Sequence, residues 1–158
     1  MHFGFKYSKE EYVKAMRESY DDSKFIDLLV AVGLLSLGIY LSFTDSYELF
    51  SAIFIVISLV YIFMIFSKYF ILPTIVYNRE PKFKEDYELS FLENEILFKA
   101  GAMNSTIPWS YYFDYKQSKD FIFLKYAKER YTVIPKRIFK NDEEAKEFID
   151  LLKIKMVK

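Results

Sequence analysis

Two long apolar runs dominate the pattern of this chain. Residues 49–66 read LFSAIFIVISLVYIFMIF, without one charge and with nothing more polar than Ser51, Ser58 and Tyr61. A hydrocarbon layer about 30 Å thick takes roughly 20 helical residues to cross, and a helix satisfies its own backbone hydrogen bonds there. Residues 25–43 form a second run, carrying one charge, Asp27, and two glycines, Gly33 and Gly38. The segment Thr44-Asp45-Ser46-Tyr47-Glu48 between them is long enough to reverse the chain and too short for a domain. The pattern predicts a transmembrane helical hairpin over residues 25–72, with spans at about 25–43 and 49–66 or slightly longer. A soluble hairpin is the competing reading, but its helices would keep a polar face, and residues 49–66 have none. Asp27 lies within one turn of the apolar edge, near Lys24, and is expected to snorkel to the interface. Gly33 and Gly38 are five apart and so miss the GxxxG spacing, although they would let the spans approach.

The flanks follow other periods. Residues 2–7 alternate Phe3, Phe5 and Tyr7 with His2, Gly4 and Lys6, which predicts a strand with one buried face and leaves His2 solvated on the other. Ser8 and Glu11 have capping-box spacing, each side chain reaching the other's backbone N–H. A helix therefore starts there, carries Tyr12, Ala15, Met16 and Tyr20, and leads through Asp21, Asp22 and Lys24 into the first span, so residues 1–24 form an N-terminal strand and lead-in helix. Beyond residue 66 the apolar character continues to Pro73, with Lys68 and Tyr69 placed as interfacial anchors. Residues 73–86 read as a juxtamembrane connector, whose Arg79, Lys82 and Lys84 would gain about 1 kcal/mol each beside anionic headgroups.

From residue 87 the pattern becomes short strands and turns. Strands are predicted over 87–91, 95–99, 103–109, 111–117, 121–126 and 131–134, with turns at Glu93-Asn94, Gly101, residues 118–120 and residues 127–130. Pro135 stops the last of them. Asn141 and Glu144 repeat the cap spacing, Asp142, Glu143 and Glu144 suit a helix N-terminus, and Lys153, Lys155 and Lys158 suit its other end. Ala145, Phe148, Ile149 and Leu152 make the stripe that packs on the sheet. Strands followed by a helix make residues 87–158 an α+β domain.

Composition and charge narrow the function. The chain has 158 residues, with 22 basic and 22 acidic ones, so it lacks the surplus of Lys and Arg that nucleic-acid binding needs. All of those Lys and Arg precede residue 25 or follow residue 66, and the linker carries only Asp45 and Glu48. Positive charge stays inside, so a multi-pass plasma-membrane protein with both termini cytosolic is expected. Residues 1–24 are polar and mixed in charge, unlike a cleavable signal. With no cysteine and one histidine, disulfides, thiolate metal sites, cysteine nucleophiles and histidine-built centres are excluded. Glycines at 4, 33, 38 and 101 cannot form a phosphate loop.

Several stretches resemble a known family. Ile107-Pro108-Trp109-Ser110, Phe121-Ile122-Phe123-Leu124, and Val133-Ile134-Pro135-Lys136-Arg137-Ile138-Phe139 before an acidic-capped helix are similar to the YcxB-like proteins of bacteria, which also begin with a Phe-x-Tyr strand and carry two transmembrane helices. The resemblance implies a pleckstrin-homology-like (PH-like) fold, a strongly bent antiparallel seven-stranded sheet with a C-terminal capping helix, in which the hairpin is inserted after the first strand. The family carries no catalytic assignment to transfer.

No nucleophile, tuned acid or base and charge-stabilising group come together in the sequence, so no catalytic residue, metal or cofactor is expected. Glu93 with Glu95 flanks a turn, and the run at 142–144 caps a helix. Lys136 and Arg137, with Lys140, form the basic cluster beside a strand end and are the candidate contact for an anionic headgroup or an acidic protein partner. Trp109 reads as core, with a reach to the interface as the alternative. The expected function is a non-catalytic membrane-anchored protein presenting a cytosolic interaction domain. The alternatives are an accessory or immunity-type protein acting through its hairpin on a transporter or toxin, and a membrane enzyme on a lipid-linked substrate.

Overall fold

The computed structural model describes residues 1–128 and 130–156, with the backbone alone at Asp21, Asp22 and Asp45. Glu129 in the turn expected over 127–130, and Lys158 in the expected basic helix end, lie outside the described residues. The chain divides into two units, Met1–Ser19 with Tyr77–Lys158, and Tyr20–Val76.

In the first unit the aromatic alternation gives β1 (His2–Phe5), which pairs antiparallel with β2 (Tyr87–Phe91) in the register Phe3↔Leu89. The two sides of the insertion thus meet in one ladder. β3 (Glu95–Ala100) and β4 (Met103–Pro108) complete a sheet of order β1-β2-β3-β4. Their reversal turns on Gly101, whose φ of +56° suits a residue without a Cβ. β5 (Asp114–Gln117), β6 (Phe121–Ala127) and β7 (Arg130–Pro135) form a second antiparallel sheet. Seven strands were expected and seven are found among the described residues, but in two sheets rather than one bent sheet.

The break explains a misread strand. Residues 111–117 do not run as one strand, because a 3-10 turn at Trp109–Tyr111 follows Pro108 and the Tyr112 N–H bonds back to the Trp109 carbonyl at 3.1 Å. Aromatic residues alone carried the strand signal there, and a local turn outcompeted it.

α5 (Asp142–Met156) opens on the predicted cap, with the Glu144 N–H donating to Asn141 Oδ1 at 2.8 Å. Its stripe buries Phe148 and Leu152 completely. Phe148 meets the rings of Phe91, Phe139 and Phe3 at 4.7, 5.4 and 5.9 Å, so the helix closes on strands from both chain segments. α1 (Lys9–Ser19) starts where Ser8 Oγ accepts the Glu11 N–H at 3.1 Å. Only that half of the capping box forms, because the Glu11 carboxylate is held by another partner.

α1 does not run on into the first span. It ends at Ser19, and α2 (Asp21–Ser42) begins after a break at Tyr20, where φ is −90° and ψ 0°. In this second unit, a 3-10 turn at Asp45–Tyr47 reverses the chain into α3 (Glu48–Phe66), which continues through a π turn at Ser67–Ile71 into α4 (Leu72–Arg79). The first residues of the expected connector are therefore helical. Pro73, which has no N–H, enters just after the π turn.

α2 and α3 meet along small and hydroxylated residues one heptad apart. Ser51 Oγ donates to the Gly38 carbonyl at 2.8 Å, and Ser58 Oγ donates to the Ala31 carbonyl at 3.2 Å. Both are bonds across the hairpin, of the kind that join helices where apolar side chains give no net drive. Of the two glycines only Gly38 serves close approach, since a Cβ there would lie 2.8 Å from Ile55 Cγ1 and 3.0 Å from the Ile55 backbone nitrogen. At Gly33 a Cβ would meet nothing within 4 Å. Gly38→Ala is accordingly expected to destabilise the hairpin by about 1–3 kcal/mol, as overpacking against backbone does. Gly33→Ala should be neutral or slightly stabilising, and SDS-driven unfolding of the full chain in mixed micelles distinguishes the two.

Candidate interaction site

β7 ends at Pro135, and a 3-10 turn at Lys136–Ile138 brings Lys136 and Arg137 to the end of the second sheet. Arg137 is exposed, and it is paired within the chain. Its Nε and Nη2 donate to the two Glu11 carboxylate oxygens at 2.6 and 2.8 Å, and Nη2 also donates to the Lys6 carbonyl at 2.8 Å. This is the bidentate fork that guanidinium and carboxylate geometries favour. The Glu11 hydrogen bond raises the Arg137 pKa above its usual value. Lys136 Nζ donates to the Ser118 carbonyl at 2.7 Å, and its N–H donates to the Asp120 carbonyl at 2.8 Å. Lys14 pairs with Asp120, which holds the Asp120 carboxyl below the usual range.

These groups line a hollow of about 380 Å³ together with Ser8, Glu10 and Phe121. Its cations are Lys14, Lys136 and Arg137, and its anions are Glu10, Glu11 and Asp120. Among these lining residues three cations face three anions. Lys136 and Arg137 lie together beside the strand end, as expected, and both donate to acceptors of this chain: Lys136 to the turn between β5 and β6, Arg137 to Glu11 of α1 and to Lys6 just after β1. Lys140 stays exposed, its backbone N–H donating to Glu144 Oε2 at 2.6 Å. Trp109 takes the core position, being 6% exposed, with its indole N–H donating to the Leu92 carbonyl at 3.1 Å. Nearby, the Tyr7 hydroxyl donates to the Val133 carbonyl, and burial pushes its pKa well up.

The segment from Trp109 through the Lys136–Ile138 turn to α5 thus forms one structural stretch, carrying the motifs that pointed to a family. Residues 91–152 match the YcxB-like protein family. No curated protein and no solved structure matches the chain. The YcxB-like segment contains Trp109, Lys136, Arg137 and Lys140, whereas Glu11 and Lys6, which hold Arg137, lie outside it. Among the described residues, no group of three or more His, Cys, Asp or Glu is placed to hold a metal ion.

A second polar cluster lies in the unit Tyr20–Val76, outside the YcxB-like segment. Asp27, expected to snorkel to the interface, is held in a cluster of side chains. Its carboxylate accepts from Lys68 Nζ at 3.3 Å, from the Tyr61 hydroxyl at 3.3 Å and from the Tyr69 hydroxyl at 3.5 Å. Lys68 Nζ also donates to Ser23 Oγ at 3.0 Å and lies 5.0 Å from the Tyr20 ring centroid. The π turn at Ser67–Ile71 carries both Lys68 and Tyr69, and Lys68 leans back along its helix toward Asp27, as helical side chains do. Lys68 and Tyr69, expected as separate anchors, are therefore partners of Asp27. The signal in the sequence was one acid in one run and one base just past the other, equidistant enough from the hairpin turn for a long side chain to bridge.

Proposed function

We propose that the chain is a non-catalytic integral membrane protein of the plasma membrane. Its two apolar helices span the bilayer, both ends lie in the cytosol, and its other unit is a PH-like interaction domain for a protein partner or for lipid headgroups. One observation carries the membrane reading: the hairpin is inside out by the standard of a soluble protein. Phe25, Leu28, Tyr40, Leu49, Phe63 and Met64 are all at least 60% exposed, while Ser51 and Ser58 are buried. So large an exposed apolar surface would be costly in water and is what a hydrocarbon solvent requires. Both helices are long and apolar enough to cross.

A four-stranded and a three-stranded antiparallel sheet followed by a C-terminal helix support the PH-like reading, and the Lys and Arg distribution supports the orientation. Ala31, Gly38, Ser51 and Ser58 of the hairpin face each other across its seam, so these four lend no support to action on a transporter or toxin. The balanced charge around Arg137 shifts the favoured ligand of the domain from a headgroup toward a protein. The absence of cysteine gives a clean test of topology. A membrane-impermeant thiol reagent on intact cells is expected to label Ser46→Cys, in the linker, and to label Lys140→Cys only after permeabilisation. Labelling of Lys140→Cys from outside would overturn the orientation, and release of the protein by alkaline carbonate would overturn the integral reading.

A further inference from the structure

Sheets advertise their open edges, and among the described residues three of the four are guarded. β1 is four residues long and contains Gly4, β5 carries Asp114 and Lys116, and β7 carries Arg130 and Pro135. Short strands, charges and proline are the usual means of preventing edge-to-edge pairing. β4 has none of them from Met103 to Ile107, and it is the last strand of its sheet. Residues 103–106 are exposed, and since successive side chains point to opposite faces of a sheet, both faces of this edge are uncovered.

The hairpin fixes which backbone groups point outward. Residues 101 and 102 make a two-residue reversal in which Ala100 faces Met103. A turn of that length bonds the Met103 N–H to the Ala100 carbonyl, so residues 103, 105 and 107 direct their backbone groups to β3. Asn104 and Thr106 then direct theirs away from the sheet. They are symmetric about Ser105.

We propose that β4 is a self-pairing edge, joining two copies of this chain antiparallel about a two-fold axis at Ser105. In that register Asn104 faces Thr106 of the second copy twice, giving four backbone hydrogen bonds from the four outward groups of each strand. On one face the polar Asn104 and Thr106 side chains are neighbours. On the other, Met103, 47% exposed in the single chain, faces the half-buried Ile107 of the second copy. Like therefore meets like on both faces. Shifting the axis to residue 104 places Met103 opposite Ser105 and Thr106 opposite Ala102, and shifting it to 106 places Asn104 opposite Pro108, which has no N–H to give. No charged side chain is set opposite its own copy, since β4 carries none, and like charges directly opposite are what would oppose the pairing. The contact is isologous and closes, so it makes a dimer rather than a fibre.

The test uses the full chain in its membrane or in nanodiscs loaded at two copies per disc on average. Ser105 residues facing each other would form a non-hydrogen-bonded pair with Cα atoms about 4.5 Å apart, within disulfide reach. Ser105→Cys is expected to give a disulfide-linked species of twice the chain's mass on mild oxidation, in discs holding two copies. Adding Thr106→Pro, which removes only an outward N–H, or Thr106→Lys should reduce that species at least tenfold with the circular dichroism spectrum unchanged. Three results would overturn the proposal: Ser105→Cys in folded protein stays uncross-linked, Ser90→Cys on β2 cross-links equally well, or the Thr106 changes leave cross-linking intact. Capture of a different protein by Ser105→Cys in place of a second copy would also overturn it and assign the edge to a foreign strand.

Discussion

Phe148→Ala is expected to cost about 3–5 kcal/mol, the range for a large aromatic removed from a core that cannot collapse around the gap. Phe148 is fully buried, and the rings of Phe3, Phe91 and Phe139 contact it from three directions. Those rings belong to β1, β2 and the segment after β7, so the cavity would open where the two separated pieces of the first unit are joined. Relaxation is limited there because β1 and β2 are already in register across an insertion. Ile154→Ala on the same helix is the control. Ile154 is 73% exposed, and its truncation should change stability by less than about 0.5 kcal/mol. Urea unfolding of the full chain in detergent, followed by the fluorescence of Trp109, measures both. Equal effects of the two substitutions would mean that α5 does not cover the core through Phe148.

What the sequence disclosed was what local pattern can carry. The period of two in Phe3 and Phe5, the Asn141 cap with the stripe through Phe148, and the uncharged run at 49–66 each specify an element through neighbours a few residues away, and each appears where expected. What stayed hidden depends on register between distant segments. Arg137 looks like a free cation in sequence because its partner Glu11 is 126 residues earlier. Glu11 in turn looks like half of a capping box, which is the local alternative that the ion pair displaces. Trp109-Ser110-Tyr111 reads as strand from its aromatic character, yet Pro108 and the change of sheet make it a turn. Asp27 looks like an interfacial charge until the bonds from Ser51 to Gly38 and from Ser58 to Ala31 set the register of the hairpin, which brings Tyr61 beside it.

That last cluster carries the second large expected effect. Asp27→Leu should destabilise the hairpin by about 2–4 kcal/mol, somewhat under the 3–5 kcal/mol typical of breaking a fully buried pair. The discount follows from the side chains, which are 18% exposed at Asp27 and 27% at Lys68. The loss comes less from the missing attraction than from what remains, an ammonium group on Lys68 with Ser23 Oγ and the Tyr20 ring but no counter-charge, in the setting that the proposed span provides. Removing both charges should therefore be milder than removing one: Asp27→Leu with Lys68→Met is expected to recover most of the stability lost in either single variant. SDS-driven unfolding of the full chain in mixed micelles gives the four corners of the cycle. A double variant as unstable as the sum of the singles would show that the two residues act independently, through Tyr61 and Tyr69 on one side and Ser23 on the other. Recovery, by contrast, would fix the ion pair as the clasp at the open end of the hairpin, at the π turn that carries both Lys68 and Tyr69.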